Sequence, residues 1–143
     1  MNETTHLGGK VVKRSLPVFD APTGPDAPLL KRLLLPQGEL AQFFDSDEAI
    51  HYMAMIELRA GGVRGNHFHH RKEEWAYIIE GEALLVVENA TTKHRDTITL
   101  GAGEVVRIAP GVAHAYRTVQ AGRALEFSPA RFDPADTIRY PLE

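Results

Sequence analysis

The chain has 143 residues, which suits a single domain, since a chain of this size removes roughly two-thirds of its unfolded surface from water. It carries 16 basic and 19 acidic residues and no basic block, so nucleic-acid binding is not expected. The absence of cysteine excludes disulfides and thiolate metal sites. The N-terminus lacks the apolar core of a signal peptide, and no apolar run approaches the ~20 residues that cross a bilayer. We therefore predict a cytoplasmic protein with no membrane partner.

Short apolar runs punctuated by Gly and Pro predict strands along most of the chain. Residues 1–28 are predicted to form an N-terminal arm that begins as a loose tail at 1–10 and continues as a short strand at 11–19. Prolines at 22–28 predict a loop, because proline lacks the backbone donor that a helix interior needs. The remaining predicted strands are, in chain order, 29–35, 50–58, 75–79, 83–87, 97–100, 105–108, 114–118 and 125–127.

Some of these segments carry a further expectation. Residues 29–35 are short enough for a strand, although a helical turn is an alternative. Residues 75–79 and 83–87 are predicted to pair as a hairpin across the Gly-Glu turn between them. The last segment, 129–143, is predicted to pack as irregular chain over the rest of the molecule.

Many short strands, without a helical period that lasts three turns, indicate an all-β sandwich or barrel. We predict one domain over residues 1–143, with the arm at 1–28 and the barrel core at 50–128. Strands 75–79 and 83–87 are apolar on both faces, so their outer face needs cover. The arm or a second copy of the chain would supply that cover, and we predict a homodimer.

A histidine-rich stretch lies within residues 61–81. His67 and His69 are two residues apart, and on a strand such residues point to the same face. An acidic residue follows at Glu73 or Glu74. A neutral imidazole is the commonest metal ligand, and two on one face beside a carboxylate fit a borderline divalent ion. The alternative is a solvated loop whose imidazoles bind nothing, because short motifs also match by chance.

A second stretch, residues 103–118, contains one strand, a Pro-Gly turn and then a histidine. Together the two stretches resemble the cupin family of small β-barrels. Ala109 and Thr118 stand where the family has Pro and Asn, which affects turn stiffness and strand support but not the ligand set. The residues that match the family pattern are, in the first stretch, Gly61, His67, His69, Glu74 and Gly81 and, in the second, Gly103, Gly111 and His114.

The resemblance implies a cupin barrel, a double-stranded β-helix of the jelly-roll type, that holds one divalent ion inside. The ligands it implies are His67, His69, Glu74 and His114. Nitrogen and oxygen ligands without sulfur suit Zn, Fe, Mn, Ni or Cu, and the sequence does not choose among these metals. Three neutral imidazoles and one carboxylate would leave a positive centre with open positions for water or substrate.

The identity of the acidic ligand depends on the phase of the following strand. If Glu73 points inward, the odd-numbered side chains of 75–79 share the cavity face, and if Glu74 does, the even-numbered ones share it. The turn after the histidines resets this phase, so the histidine spacing does not decide the question. The seven-residue step from Glu74 to Gly81 in the family pattern favours Glu74.

Arg64 and its neighbours carry a narrower resemblance. Arg64, Gly65 and His67 resemble the sugar-nucleotide branch of the cupins, in which an Arg-Gly-x-His segment lines the pocket of epimerases and keto-isomerases. This likeness implies that Arg64 clamps a phosphate or a carboxylate in bidentate fashion. The alternative is an ordinary surface charge.

These residues predict an enzyme that acts on a small carbonyl or hydroxyl compound, such as a sugar or sugar nucleotide, by isomerisation or epimerisation. The ion would polarise the carbonyl group. The predicted proton-transfer residues are Glu74, if it is labile on the metal, and Tyr116, which on a strand shares the face of His114. The alternative for Tyr116 is an ordinary aromatic side chain that lines the barrel. Without a metal, His67 would serve as the base.

Two other functions fit the same residues. A non-haem iron dioxygenase would use the same ligands and leave room for O₂ and substrate. Its mark would be turnover that requires oxygen and iron. A non-catalytic ligand-binding or sensing protein would instead retain its small-molecule ligand without forming a product.

Overall fold

The structure, a computed structural model, describes residues 2–143, and the predicted all-β class is confirmed. This part of the chain contains one short 3-10 helix, Pro134–Asp136, and none of its helices is long and apolar enough to span a membrane. The strands are β1 (Asn2–His6), β2 (Val11–Ser15), β3 (Val18–Phe19), β4 (Lys31–Leu35), β5 (Gly38–Gln42), β6 (Tyr52–Leu58), β7 (Val63–Phe68), β8 (Glu74–Asn89), β9 (Arg95–Gly101), β10 (Glu104–Ile108), β11 (Val112–Ser128) and β12 (Ile138–Arg139).

Strands β8 and β11 are long, antiparallel partners that run through both layers of the barrel. The first half of β8 pairs with β10 and its second half with β9. β11 also changes partner along its length, because its first half pairs with β7 and its second half with β6. Residues 114–118 and 125–127, predicted as separate strands, are therefore parts of one strand. Each long strand belongs to two layers, as a jelly-roll barrel requires.

The hairpin predicted between residues 75–79 and 83–87 is wrong, because both stretches belong to β8. Gly81 lies at the bend between the two halves with a φ of 93°, a left-handed conformation that glycine adopts at least cost. Opposite it, a Cβ on Gly122 would overlap the carbonyl oxygen of Glu80. The two glycines thus form a corner at which paired strands pass from one layer to the other.

The loose tail predicted for residues 1–10 is also wrong over the residues that are described. β1 and β2 form an antiparallel hairpin, and β2 extends the sheet by pairing with β10. Val11 is fully buried there. For residues 29–35, where a strand and a helical turn were the two alternatives, the structure has strand β4. This strand pairs with β3 and β5 in a separate three-stranded sheet.

Aromatic rings cover the outer face of the β8–β11 pair. Trp75, Tyr77 and Phe127 pack there with Phe43 and Phe44 from the segment after β5. Phe43 stacks on Tyr77 with ring centroids 4.2 Å apart, and Phe44 meets Phe127 edge-on at 5.1 Å. The segment after β5, rather than the predicted arm at 1–28, therefore covers the outer face of residues 75–79. The homodimer stays a prediction.

The C-terminal segment, predicted as irregular, includes β12, which pairs with β7. Asp136 in this segment is buried, and its carboxylate accepts hydrogen bonds from the backbone N–H groups of His70 and Arg71. These bonds hold the turn between β7 and β8. That turn contains His69 and joins the strands that carry His67 and Glu74.

Candidate metal centre

Neighbouring strands bring His67 and His114 together inside the barrel. β7 and β11 pair with His67 opposite His114, and their ring centroids are 4.8 Å apart. The register shifts directly after His114, close to Gly65, where an added Cβ would lie 2.6 Å from the His114 carbonyl oxygen. Glycine at this position therefore lets the two histidine-bearing strands approach each other.

His69 and Glu74 complete the group from the turn after β7 and the first residue of β8. Both are buried, with 4% and 3% of their surface exposed. One nitrogen or oxygen atom from each of His67, His69, Glu74 and His114 lies within 4.8 Å of the other three. The structure thus brings together the four residues that the cupin resemblance implied as ligands.

Glu73, the other acidic candidate, lies outside this group. Its carboxylate accepts a hydrogen bond from Trp75 Nε1 at 2.6 Å and pairs with Arg107 at 2.8 Å. Glu74 points inward, and the even-numbered residues Ala76 and Ile78 line the cavity beside it. This is the strand phase that the seven-residue step in the sequence pattern favoured.

Hydrogen bonds fix the ring orientation of two histidines. His69 Nδ1 lies 2.9 Å from the carbonyl oxygen of Asp136, and His114 Nδ1 lies 3.1 Å from that of Val112. Because a carbonyl oxygen only accepts, each Nδ1 carries a proton and donates a hydrogen bond to that oxygen. Both Nε2 atoms are buried without a hydrogen-bond partner in the described chain. In the neutral ring each of them presents a bare lone pair to the centre of the group.

The Glu74 carboxylate has different neighbours at its two oxygens. Oε1 lies 3.7 Å from His69 Nε2 and 3.8 Å from Lys72 Nζ. Oε2 lies 3.3 Å from His114 Nε2 and accepts a hydrogen bond from the Tyr116 hydroxyl at 3.1 Å. Burial acts to raise the pKa of this carboxyl group, but the nearby His114 and the other partners hold the pKa of Glu74 well below its ordinary value. The barrel interior therefore keeps a carboxylate anion.

The histidines of the group differ in their affinity for protons. Burial, reinforced by His114, lowers the pKa of His67 to about 4, so His67 is neutral at pH 7. Burial also opposes charge on His114, but the adjacent Glu74 carboxylate outweighs it and raises the pKa of His114 above its ordinary value. Without a metal, a proton is therefore held more tightly at the His114–Glu74 pair than at His67.

Tyr116 and Arg64, predicted as catalytic, face each other across β11 and β7. Burial and the charge of Glu74 raise the pKa of Tyr116 well above its ordinary value, so the phenol keeps its proton. Arg64 is exposed at the opening of the cavity, where its Nη2 makes a long contact of 3.3 Å with the carbonyl oxygen of Glu57. Its guanidinium is thus available to a ligand that enters the barrel.

Sequence reasoning missed two charged residues beside Glu74. Lys72 is 6% exposed, and its Nζ donates to Glu126 Oε1 at 3.1 Å. Glu126 lines the cavity, and burial together with the charge of Glu74 raises its pKa. The sequence did contain a signal for Glu126, because it is the one carboxylate in the apolar stretch 124–127. On a strand it points to the face opposite the large side chains of Leu125 and Phe127. Lys72 lies in a turn, where a lysine carries no such signal.

A cavity of about 160 Å³ adjoins the four-residue group. His67, His114, Glu74 and Tyr116 form one side of its lining, and aliphatic side chains of β6, β8 and β11 form another. The fold and the site together define a small two-layered β-barrel with a candidate metal centre beside an internal cavity.

The sequence profile of the cupin domain matches residues 54–127, which is just over half of the chain. The chain belongs to the cupin domain family. A search of curated proteins gives no match.

Several solved structures share this fold at low sequence identity. The rmlC epimerase of Mycobacterium tuberculosis is 13% identical with a TM-score of 0.75, covering 96% of this chain and 72% of its own. The dTDP-4-dehydrorhamnose 3,5-epimerase of Sulfolobus tokodaii is 16% identical with a TM-score of 0.71, covering 96% and 81%. The WlaRB TDP-quinovose 3,4-ketoisomerase of Campylobacter jejuni is 18% identical with a TM-score of 0.67, covering 78% and 88%. At these identities the similarity establishes the fold.

Proposed function

We propose that this chain is a metal-dependent enzyme of the isomerase or epimerase type that acts on a small carbonyl or hydroxyl compound. The observation that carries the proposal is the pair of buried, unbonded Nε2 atoms of His69 and His114, both close to the Glu74 carboxylate and beside a cavity. Buried polar atoms without a partner are rare and costly, and one divalent cation would satisfy both atoms.

The donor set fits such an ion. His67, His69, Glu74 and His114 would be its ligands, and the backbone carbonyls bound to two Nδ1 atoms would fix the orientation of those rings, as is usual around metal sites. Ligands of this kind suit Zn, Fe, Mn, Ni or Cu. When bound, the ion would polarise a carbonyl or hydroxyl oxygen of the substrate.

Side chains around the cavity would bind the substrate and move its protons. Tyr116 keeps its proton, so it would act as a hydrogen-bond donor and not as the base. Glu126 Oε2 has no hydrogen-bond partner within residues 2–143, and a raised pKa suits a general base. Glu126 would take a proton from the carbon next to the carbonyl group and return it to a neighbouring position on the same face. Inversion at the carbon itself would need a second proton donor on the other face. Arg64 would bind an anionic part of the substrate at the opening.

The similar folds support this reaction class over the alternatives. The three structures compared above are named as two epimerases and one ketoisomerase. A sugar nucleotide is accordingly one class of substrate to test. Any substrate of this site would need a carbonyl or hydroxyl group that a cation bound there can contact.

Metal analysis tests the ligand assignment. Wild-type protein purified without a His-tag is compared with His114→Ala and with His94→Ala, which changes an exposed histidine between β8 and β9. Wild type and His94→Ala should bind one ion per chain, whereas His114→Ala should bind it at least ~100-fold more weakly and keep its far-UV circular dichroism. Equal metal affinity in all three proteins would refute the assignment.

Proton exchange tests the reaction class. Metal-loaded protein in deuterated water should catalyse exchange at the carbon next to the carbonyl group of its substrate, and Glu126→Gln should slow this exchange by ~100-fold without losing the metal. Turnover that requires oxygen, with iron as the only active metal, would identify a dioxygenase instead. Tight retention of a ligand without exchange or product would identify a non-catalytic binding protein.

A further inference from the structure

One wall of the cavity is a continuous aliphatic surface. Three adjacent strands, β6, the second half of β11 and the first half of β8, place Ile56, Ala124 and Ile78 directly opposite one another in a single row. All three residues line the cavity. Leu58 on β6 lies one step further along the same face and lines the cavity too.

The next row of the wall contains its one charged group. Register places Glu126 of β11 between Ala54 of β6 and Ala76 of β8. Lys72 occupies one oxygen of the Glu126 carboxylate. The wall can therefore accept hydrogen bonds from a ligand only at this carboxylate, and the rest of its surface makes apolar contacts.

The polar groups collect at one end of the cavity. His67 and His114 come from the β7–β11 layer, and Glu74 lies beyond Ala76 at the start of β8. The Tyr116 hydroxyl already donates a hydrogen bond to Glu74. The cavity thus has a polar end at the candidate metal centre and an aliphatic side away from it.

We propose that the group enclosed by the barrel is a compact aliphatic carbonyl or hydroxyl compound, with its oxygen at the His/Glu group and its hydrocarbon part against the wall of Ile56, Ala124 and Ile78. This inference rests on the proposed function and narrows its substrate. A sugar ring would place several hydroxyl groups against aliphatic side chains, where each hydroxyl loses its bond to water without gaining a partner. Hydrocarbon at the same place removes apolar surface of both ligand and wall from water.

The size of the cavity leads to the same class. A volume of about 160 Å³ encloses a compact group, so the nucleoside part of a sugar nucleotide would have to remain outside. Arg64 is the cation among the lining residues that lies exposed at the opening, and it has room there for one anionic group. A single carboxylate on an otherwise aliphatic ligand therefore fits as well as a neutral compound.

The test compares two ketones with the same number of heavy atoms. Acetoin and dihydroxyacetone are each titrated into zinc-loaded wild-type protein, and binding is measured by ligand-observed NMR, with dTDP-glucose as a third probe. Acetoin is expected to bind at least ~10-fold more tightly than dihydroxyacetone. Equal or tighter binding of dihydroxyacetone or of dTDP-glucose, or no binding of acetoin, overturns the proposal.

Two variants of adjacent residues locate the effect. Ile56 lines the cavity, whereas Met55 on the same strand is 63% exposed on the other face. Ile56→Ser should abolish most of the preference for acetoin, and Met55→Ser should leave it unchanged. Equal behaviour of the two variants contradicts the wall as its source. Since the preference is first measured on the wild type, a poorly folded variant does not remove the test.

The outcomes separate this inference from the proposed function. Zinc uptake is measured on the same samples, by elemental analysis. Zinc uptake with a preference for the hydroxylated probes leaves the metal centre intact and removes the aliphatic substrate class. A preference for acetoin in protein that takes up none of Zn, Fe, Mn, Ni or Cu supports the aliphatic class and removes the metal-dependent function.

Discussion

The two faces of the β8–β11 pair are built from alternate residues of the same strands but have opposite chemistry. The outer face carries Trp75, Tyr77 and Phe127 under the rings of Phe43 and Phe44. The inner face carries charged and titratable groups at one end and small aliphatic side chains at the other. The period-two alternation of a strand thus separates two tasks within a few residues.

The outer face of the pair serves stability, and the inner face serves the site. Aromatic rings bury large apolar areas and gain further from edge-on and stacked contacts, so the outer face stabilises the fold. The inner face buries Glu74 and His114 beside Lys72 of the preceding turn, and burying charges costs free energy even when they are paired. That cost is expected of a site that is shaped for a ligand rather than for stability.

The largest expected effect comes from the outer face. Phe127 is 1% exposed and contacts the rings of Phe44 and Trp75. Phe127→Ala should lower the free energy of unfolding by about 3–5 kcal/mol, because it removes buried apolar surface and leaves a void. Denaturant unfolding of metal-free protein measures this change.

A control on the same strand shows whether this effect is local. Val119 is 55% exposed, so Val119→Ala should change the free energy of unfolding by no more than about 0.5 kcal/mol. The folded fraction of Phe127→Ala should still bind metal with wild-type affinity. If metal affinity falls along with stability, the two faces do not act independently and the comparison fails.

The inner face should give a pH dependence that the outer face does not. A histidine whose pKa is raised by folding, such as His114, stabilises the fold fully at pH values below its ordinary pKa of 6.5. This contribution is lost as the pH rises through the pKa of the folded state. His67 has a pKa lowered to about 4, so the unfolded chain takes up its proton first and stability falls as pH drops from about 6.5 to 4. Glu74, with a lowered pKa, adds a further loss below its ordinary value of 4.5. Metal-free protein should therefore be most stable near pH 6.5.

Two variants show which histidine causes each side of the profile of stability against pH. Unfolding of metal-free protein is measured across pH 4 to 9, for wild type, His114→Gln and His67→Gln. The first variant should flatten the alkaline side of the profile and the second the acid side between pH 4 and 6.5. A wild-type profile that rises steadily above pH 6.5 would contradict the pairing of His114 with Glu74.

The sequence predicted the chemistry of the inner face better than its connectivity. His67, His69 and His114 were found because ligand-type residues are rare in apolar strands and their spacing matches a family pattern. Gly81 was misinterpreted as a turn, since glycine with a positive φ serves equally well at a hairpin and at a bend inside a continuous strand. What decides between the two is the partner strand, whose Gly122 lies about 40 residues further along the chain and leaves no local signal.

The N-terminal hairpin and the Lys72–Glu126 pair were missed for related reasons. Strand β1 is polar and exposed along most of its length, so no apolar alternation marks it; it is a strand because β2 offers an edge. Lys72 is buried because Glu126, 54 positions away, accepts its hydrogen bond. Long-range pairing that rescues an otherwise unfavourable residue cannot be inferred from that residue's neighbours in sequence.

The smallest expected effect concerns one hydrogen bond at the edge of the metal centre. The hydroxyl of Tyr116 donates to Glu74 Oε2 at 3.1 Å, so it orients the carboxylate that would bind the ion. Tyr116→Phe keeps the ring and removes this bond, and it should lower zinc affinity by ~10-fold, at the lower end of the range for residues that support metal ligands.

A matched control separates orientation from packing. Tyr140 donates to Glu88 and accepts a hydrogen bond from Lys93 away from the candidate ligands, so Tyr140→Phe should leave zinc affinity unchanged. Competition with a chelator of known affinity measures both variants. If Tyr116→Phe binds zinc like wild type, Glu74 is held by its histidine and lysine neighbours alone, and the hydroxyl is free to serve the substrate in the cavity.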